Sequence, residues 1–253
     1  MANLYRFRKC RQSSINNLLS FRIEGSKYSE MADDKEVSLT IDVERIKDCT
    51  KLSQDVIAKT HEIIRKHIIN SYYIACFSKT DQLDDIDMWK EYAGSNGFCL
   101  VYNDVFIRNA INIAMRRNRG KFLIFRDVDY GNDPTDITDF VIDYLSLVGD
   151  DIENEEAYKY ASKHAGDKLS IEQRRKITNS MFHKIGQFPE KDEKRIVLLG
   201  KEDGNPFCND MISIVVKPSK IYCSSLMDRD VRKELERFAK KNNIDFEIKL
   251  IEK

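Results

Sequence analysis

The chain has 253 residues, enough for one large domain or for one domain carrying an insertion. Apolar residues make up 42% and charged residues 33%, a globular composition that can bury a core without disulfides or metal. The 42 lysines and arginines balance 42 aspartates and glutamates, so no net field favours coating a nucleic acid. No apolar run reaches the roughly 18 residues that cross a bilayer.

Cys10, Cys49, Cys76, Cys99, Cys208 and Cys223 contain no C-x-x-C pair. Met1-Ala2-Asn3-Leu4-Tyr5-Arg6 runs directly into charge, without a secretory leader. Reduced thiols in a cytoplasmic protein are the expectation, several of them buried as small apolar groups.

Asn3 to Arg8 alternates and predicts a strand, and Ser13 or Ser14 can cap a short helix through Leu18-Leu19. Further strands are predicted at Phe21-Arg22-Ile23 and Ser38–Val43. Between Ser53 and Asn70, Val56, Ile57, Ile63, Ile64 and Ile68 keep the spacing of one helical face. Tyr72–Phe77 is a continuous apolar run, the mark of a central strand. A short helix through Met88, Trp89 and Tyr92 ends at Gly94-Ser95-Asn96-Gly97, and Phe98–Tyr102 reads as the next strand. Asn103 caps a helix reaching Arg119, where Arg116, Arg117 and Arg119 suit the helix dipole and Gly120 stops it. Lys121–Tyr130 predicts a strand closed by the turn Gly131-Asn132-Asp133-Pro134.

Residues 135–186 read as a helical insertion, with patterns at Phe140–Val148, Glu155–His164 and Ile171–Ile185. Strands return at Lys194–Leu199, Ile212–Val216 and Ile221–Cys223. A helix near Arg229–Lys241 and the strand Phe246–Leu250 finish the chain. Strands outnumber the crossovers a parallel sheet needs. The expected fold is therefore a single α+β domain over residues 1–253, with a mixed, mostly antiparallel central sheet, flanking helices and the 135–186 insertion.

Three blocks, Ala75-Cys76-Phe77-Ser78, Met88-Trp89-Lys90-Glu91-Tyr92-Ala93 and Gly97-Phe98-Cys99-Leu100, resemble the signature of the bacterial domain-of-unknown-function family 2971. Leu4–Arg8, Val128-Asp129-Tyr130, Glu193-Lys194-Arg195 and Lys217–Ile221 are similar to further family elements. The chain departs from that pattern at Ala32–Glu36, where only Asp33 and Glu36 keep the acidic character of the family's loop. It departs again at Lys191, where an acid is usual.

An opening strand bearing Tyr and Arg, with a late strand headed by Glu, resembles the layout of ADP-ribosyltransferases. That resemblance implies an intracellular effector, toxin-like or defence-associated enzyme using NAD as co-substrate on a protein or nucleic-acid target. Breaking the nicotinamide–ribose bond builds positive charge that a carboxylate stabilises, here Glu193. Arg6 or Arg8 would hold the pyrophosphate, and Tyr5, Phe7, Trp89 or Tyr92 would form a ring wall. Asp33, Glu36 and Arg195 are weaker binding candidates. The scheme requires the first strand and the Glu193 strand to lie side by side, with an arginine and Glu193 facing one hollow.

Two alternatives stand beside it. One is a non-catalytic ligand-binding or sensor module. The other is a magnesium-dependent nuclease built on Glu247-Ile248-Lys249, with Asp127, Asp129 or Asp133 as the partner acid. His61, His67, His164 and His183 lack zinc spacing, and no metal is expected for the favoured reading. No G-x-S-x-G, G-x-G-x-x-G or P-loop occurs.

Overall fold

A computed structural model describes residues 2–27, 39–117, 123–148, 178–185, 192–199 and 214–251. The chain divides into two compact units. The first comprises Met1–Lys27, Tyr73–Asp127 and Phe188–Lys253, and the second Tyr28–Tyr72 and Val128–Gln187. The residues read as a helical insertion therefore fall in the second unit together with 28–72.

The first unit is built on β1 (Asn3–Arg8), β2 (Ser26–Lys27), β4 (Tyr72–Ser78), β5 (Phe98–Asn103), β6 (Leu123–Asp127), β10 (Glu193–Leu199), β11 (Lys220–Ser224) and β12 (Asp245–Lys249). Their order is β12-β11-β5-β1-β4-β10-β6, with β2 also paired to β4. β1 runs antiparallel to both β4 and β5, β5 to β11, and β10 to β6. β11 and β12 are parallel, and helix α7 (Arg229–Lys241) supplies the crossover that such a pair needs. The fold is α+β with a mixed, mostly antiparallel sheet.

Period-two alternation sorts each strand's side chains onto two faces. Leu4, Phe77, Phe98, Leu100, Tyr102, Ile196 and Leu198 join one core. Over it pack α1 (Gln12–Leu19), α5 (Asp104–Arg117) and α7 through Ile15, Leu18, Ile107, Ile111, Leu235 and Ala239. Tyr5, Phe7, Cys99 and Val101 point the other way, into a second core with Leu83, Met88, Trp89, Ala93 and Ile251. Met88 closes the short helix α4 (Ile86–Met88), and a π-helical turn, Trp89–Ala93, continues it. Gly97 lets that turn press on β1: a Cβ there would stand 2.2 Å from the Ala93 carbonyl oxygen and 2.5 Å from that of Arg8.

The second unit contains β3 (Leu39–Thr40), α2 (Val43–Thr50), α3 (Gln54–Ser71), β7 (Asp129–Gly131), β8 (Thr135–Asp136), α6 (Thr138–Val148) and β9 (His183–Ile185). β3 pairs with β8 and β7 with β9, both in parallel. Ile46, Ile57, Ile64, Val141 and Leu145 are buried on the three helices.

Several boundaries differ from the expected ones. Asp42 belongs to no strand: its carboxylate accepts the Arg45 N–H and caps α2, a helix that the alternation of residues 38–43 concealed. Phe21–Ile23 makes only an isolated bridge, Arg22 to Val215, because Phe21 sits at φ 56° in a tight return from α1. The same bridge is all that remains of the described part of the predicted 212–216 strand. Helix α1 begins at Gln12, with Arg11 at its N-cap and no capping side chain; the serines lie inside it. Lys121–Tyr130 breaks at Val128 into β6 and β7, which join different sheets. Of the expected Ile171–Ile185 helix, residues 171–177 lie outside the described residues and 178–180 are helical, but its end is β9, whose His183 pairs with Asp129. The Glu155–His164 pattern, Asp33 and Glu36 lie outside the described residues.

Candidate functional site

β1 is central in the sheet, and its alternation divides the predicted site residues. Arg6 and Arg8 lie on the helix-covered face with Leu4, and Tyr5 and Phe7 lie on the opposite one. Glu193 and Arg195 alternate with Lys194, Ile196 and Leu198 on β10, and the latter two enter the helix-side core. Glu193 thus projects from the face opposite to Arg6 and Arg8. β4 also stands between β1 and β10. The shared hollow expected between an arginine and Glu193 is not formed.

Glu193 instead grips its own strand neighbour. Arg195 is 0% exposed, and its Nε and Nη2 donate to Glu193 Oε1 and Oε2 at 2.8 and 3.1 Å. Two parallel charge-assisted bonds of this kind hold both partners in one geometry.

The proposed ring wall is core as well. Trp89 is fully buried, meets Phe7 edge-on at 5.3 Å between ring centroids, and donates its indole N–H to the Leu83 carbonyl at 2.8 Å. Tyr5 is buried in the same cluster, where burial and then the charge of Asp81 push its hydroxyl pKa up. Tyr92, three residues on from Trp89, is exposed.

What the fold does bring together is a cluster around Arg6 and Arg8. The Glu24 carboxylate, beyond α1, accepts Arg8 Nη2 at 2.9 Å and Asn17 Nδ2 at 2.6 Å through the same oxygen. Arg8 also reaches Ser14 Oγ at 3.5 Å. Arg6 is 6% exposed; it donates to the Glu24 backbone carbonyl and lies over the Phe77 ring, 5.5 Å from its centroid. Among the described residues Arg6 has no ion-pair partner; Arg8, of the same sign, acts on it more strongly than the opposing Glu24 carboxylate. Burial, then Arg8, pull its pKa down to about 10, so it remains a cation at neutral pH. Tyr102, 1% exposed, completes the group. Burial raises its pKa to about 12, against the pull of Arg6 and Arg8.

No protein-family model, curated protein or solved structure matches this chain.

The remaining candidates are also placed by the sheet. Glu247 pairs with Lys220 at 2.7 Å and Lys249 with Asp84 at 3.0 Å, and both lysines lie over the Tyr222 ring. β12 and β6 are opposite edges, so Glu247 and Asp127 are separated by six inter-strand steps, about 29 Å along the sheet at ~4.8 Å each. Asp127 is engaged by Lys79 and Lys194. Among the described residues no cluster of His, Cys, Asp and Glu could hold a metal ion. No helix among them is long and apolar enough to cross a membrane.

Sequence reasoning found the two arginines but missed Glu24, Asn17 and Tyr102. Ser14 and Asn17, three apart on α1, carried a weak signal of a polar edge facing the strand. Nothing local marked Glu24, which the return of the chain after α1 brings to Arg8.

Proposed function

We propose that this protein is a ligand-binding module that takes a small anionic ligand at Arg6 and Arg8, the non-catalytic alternative among the three readings. The observation that carries it is the charge count of the buried cluster. Among the described residues two guanidinium groups share one carboxylate, Glu24, which pairs directly with Arg8 and acts on the more deeply buried Arg6 without an ion pair. An uncompensated buried charge costs several kcal/mol, and arginine cannot escape the cost by losing its proton. A phosphate or carboxylate paired with the Arg6 guanidinium would relieve it with charge-assisted bonds. The buried Tyr102 hydroxyl adds a neutral donor on the same side of the sheet.

NAD is the first ligand to try, because its pyrophosphate is an anion of this kind and the resemblance to ADP-ribosyltransferases named it. The transferase step itself has less support, since Glu193 is turned to the other face. The test is a thermal-shift and calorimetric titration with NAD, inorganic pyrophosphate and citrate. A ligand at 100 times its Kd adds about 2.7 kcal/mol of stability. Arg6→Met should abolish the shift and Arg8→Gln should weaken it, with the melting point of the ligand-free protein preserved or raised in Arg6→Met. Absence of a shift with every anion, or a shift equal in parent and Arg6→Met, refutes the reading. A magnesium-induced shift lost in Glu247→Ala would point to the nuclease instead.

A further inference from the structure

The helix α5 carries a surface that neither the cores nor the arginine cluster uses. Ile107, Ile111 and Ala114 bury its inner side. On its outer side Phe106 is 60% exposed and Ile113 50%, and Ala110, which also packs against the core, lies at the edge between them. The spacing 106, 110, 113 is i, i+4, i+7, a continuous apolar seam along the helix. A burial pattern that explains one face leaves this second seam unexplained.

Two arginines, Arg116 and Arg117, are exposed at the C-terminal end of the seam. Arg108 lies on the other side of the helix, over the Phe125 ring, and with Lys194 it holds the helix's acid, Asp104, at 2.8 and 2.7 Å. Arg116 and Arg117 have no carboxylate partner among the described residues. The helix dipole accounts for cations in the last turn, but not for an exposed Phe and Ile beside them.

We infer that the outer face of α5 docks a partner helix with an apolar seam flanked by acidic residues. Anchors at i, i+4 and i+7 are the mode by which one helix reads another, and charge complementarity selects an acidic partner. A second copy of this chain fits worse, since apposing two α5 faces brings the arginines of both together. A lipid surface also fits worse: Phe106 and Ile113 are a small apolar area to enter a bilayer, and the exposed Asn109 and Asn112 beside them are polar. A nucleic acid would match the arginines but not the seam.

The test uses the full chain and a synthetic helical peptide with a leucine seam and glutamate flanks, read by fluorescence anisotropy. Its lysine-flanked counterpart is the control. The acidic peptide should bind about tenfold or more tightly than the basic one, and less tightly as salt rises. The double variant Phe106→Asp, Ile113→Asp should lose binding, and Arg116→Glu, Arg117→Glu should shift preference to the basic peptide. Unchanged emission from the sole tryptophan, Trp89, checks that each variant is folded. Equal binding of the two peptides, or binding unaffected by the Phe106/Ile113 pair, overturns the inference. So does concentration-dependent dimerisation that the pair abolishes, or pair-dependent association with phosphatidylserine vesicles or single-stranded RNA in place of the peptide.

Discussion

Replacing Trp89 by alanine separates a core ring from a ring that lines a ligand site. In the structure its side chain is wholly buried among Phe7, Met88 and Leu83, with its N–H bonded to the Leu83 carbonyl. Truncating a buried aromatic residue to alanine costs about 3–5 kcal/mol in lost contacts and residual cavity. The edge-on contact with Phe7 accounts for about 0.5–1.5 kcal/mol of such a loss. Trp89→Phe keeps most of the buried area and drops the hydrogen bond, which predicts a smaller cost of about 1–3 kcal/mol. With a urea m-value of about 3 kcal/mol/M, Trp89→Ala should lower the midpoint by roughly 1–1.7 M. Urea titration followed by circular dichroism measures this, and the parent's Trp89 emission identifies which transition belongs to the unit that contains it. A midpoint within about 0.3 M of the parent, below 1 kcal/mol on that m-value, refutes the core assignment.

Gly97→Ala should destabilise by about 3 kcal/mol, since its Cβ would meet two backbone carbonyls that no rotamer change can move; chemical denaturation checks this. Glu193→Gln should cost roughly 1.5–3 kcal/mol, because it breaks the fork on a buried Arg195; an unchanged melting temperature would reopen a catalytic role for Glu193. Burial, then Arg65, lower the pKa of His61 in α3 from its ordinary 6.5, against Glu62. The unfolded chain therefore takes up a proton near pH 6.5 before the folded one does, and stability falls as pH drops through that value. His61→Gln, neutral throughout, should show a shallower loss between pH 7.5 and 5.5 in paired thermal melts.

The elements legible in the sequence were those whose pattern and packing agree. Asn3–Arg8 reads as a strand and is buried on both faces of the sheet, Ser53 caps α3, and the charged period of residues 229–241 is that of an amphipathic crossover helix. Where local pattern and tertiary pairing disagreed, pairing won. Asp42 reads as the polar position of an alternating strand, yet its carboxylate starts α2. Val128 reads as mid-strand, yet the chain changes sheets there. The arginine cluster was half legible for the same reason. Arg6 and Arg8 share a face by strand period alone, which any reader of residues 3–8 can state. Which face it is depends on the order in which the six other strands of the row join β1, and residues distant in the chain decide that order. Glu193 shows the consequence. Its one-residue offset from Lys194 on β10 places it across the sheet from both arginines, so an active-site proposal built from residue types alone fails on a period of two. The cluster that survives needs Glu24 only because the chain turns back after α1. The burial of Arg6, which has no ion pair among the described residues, follows from β1 being central, since a central strand buries whatever side chain its period turns inward.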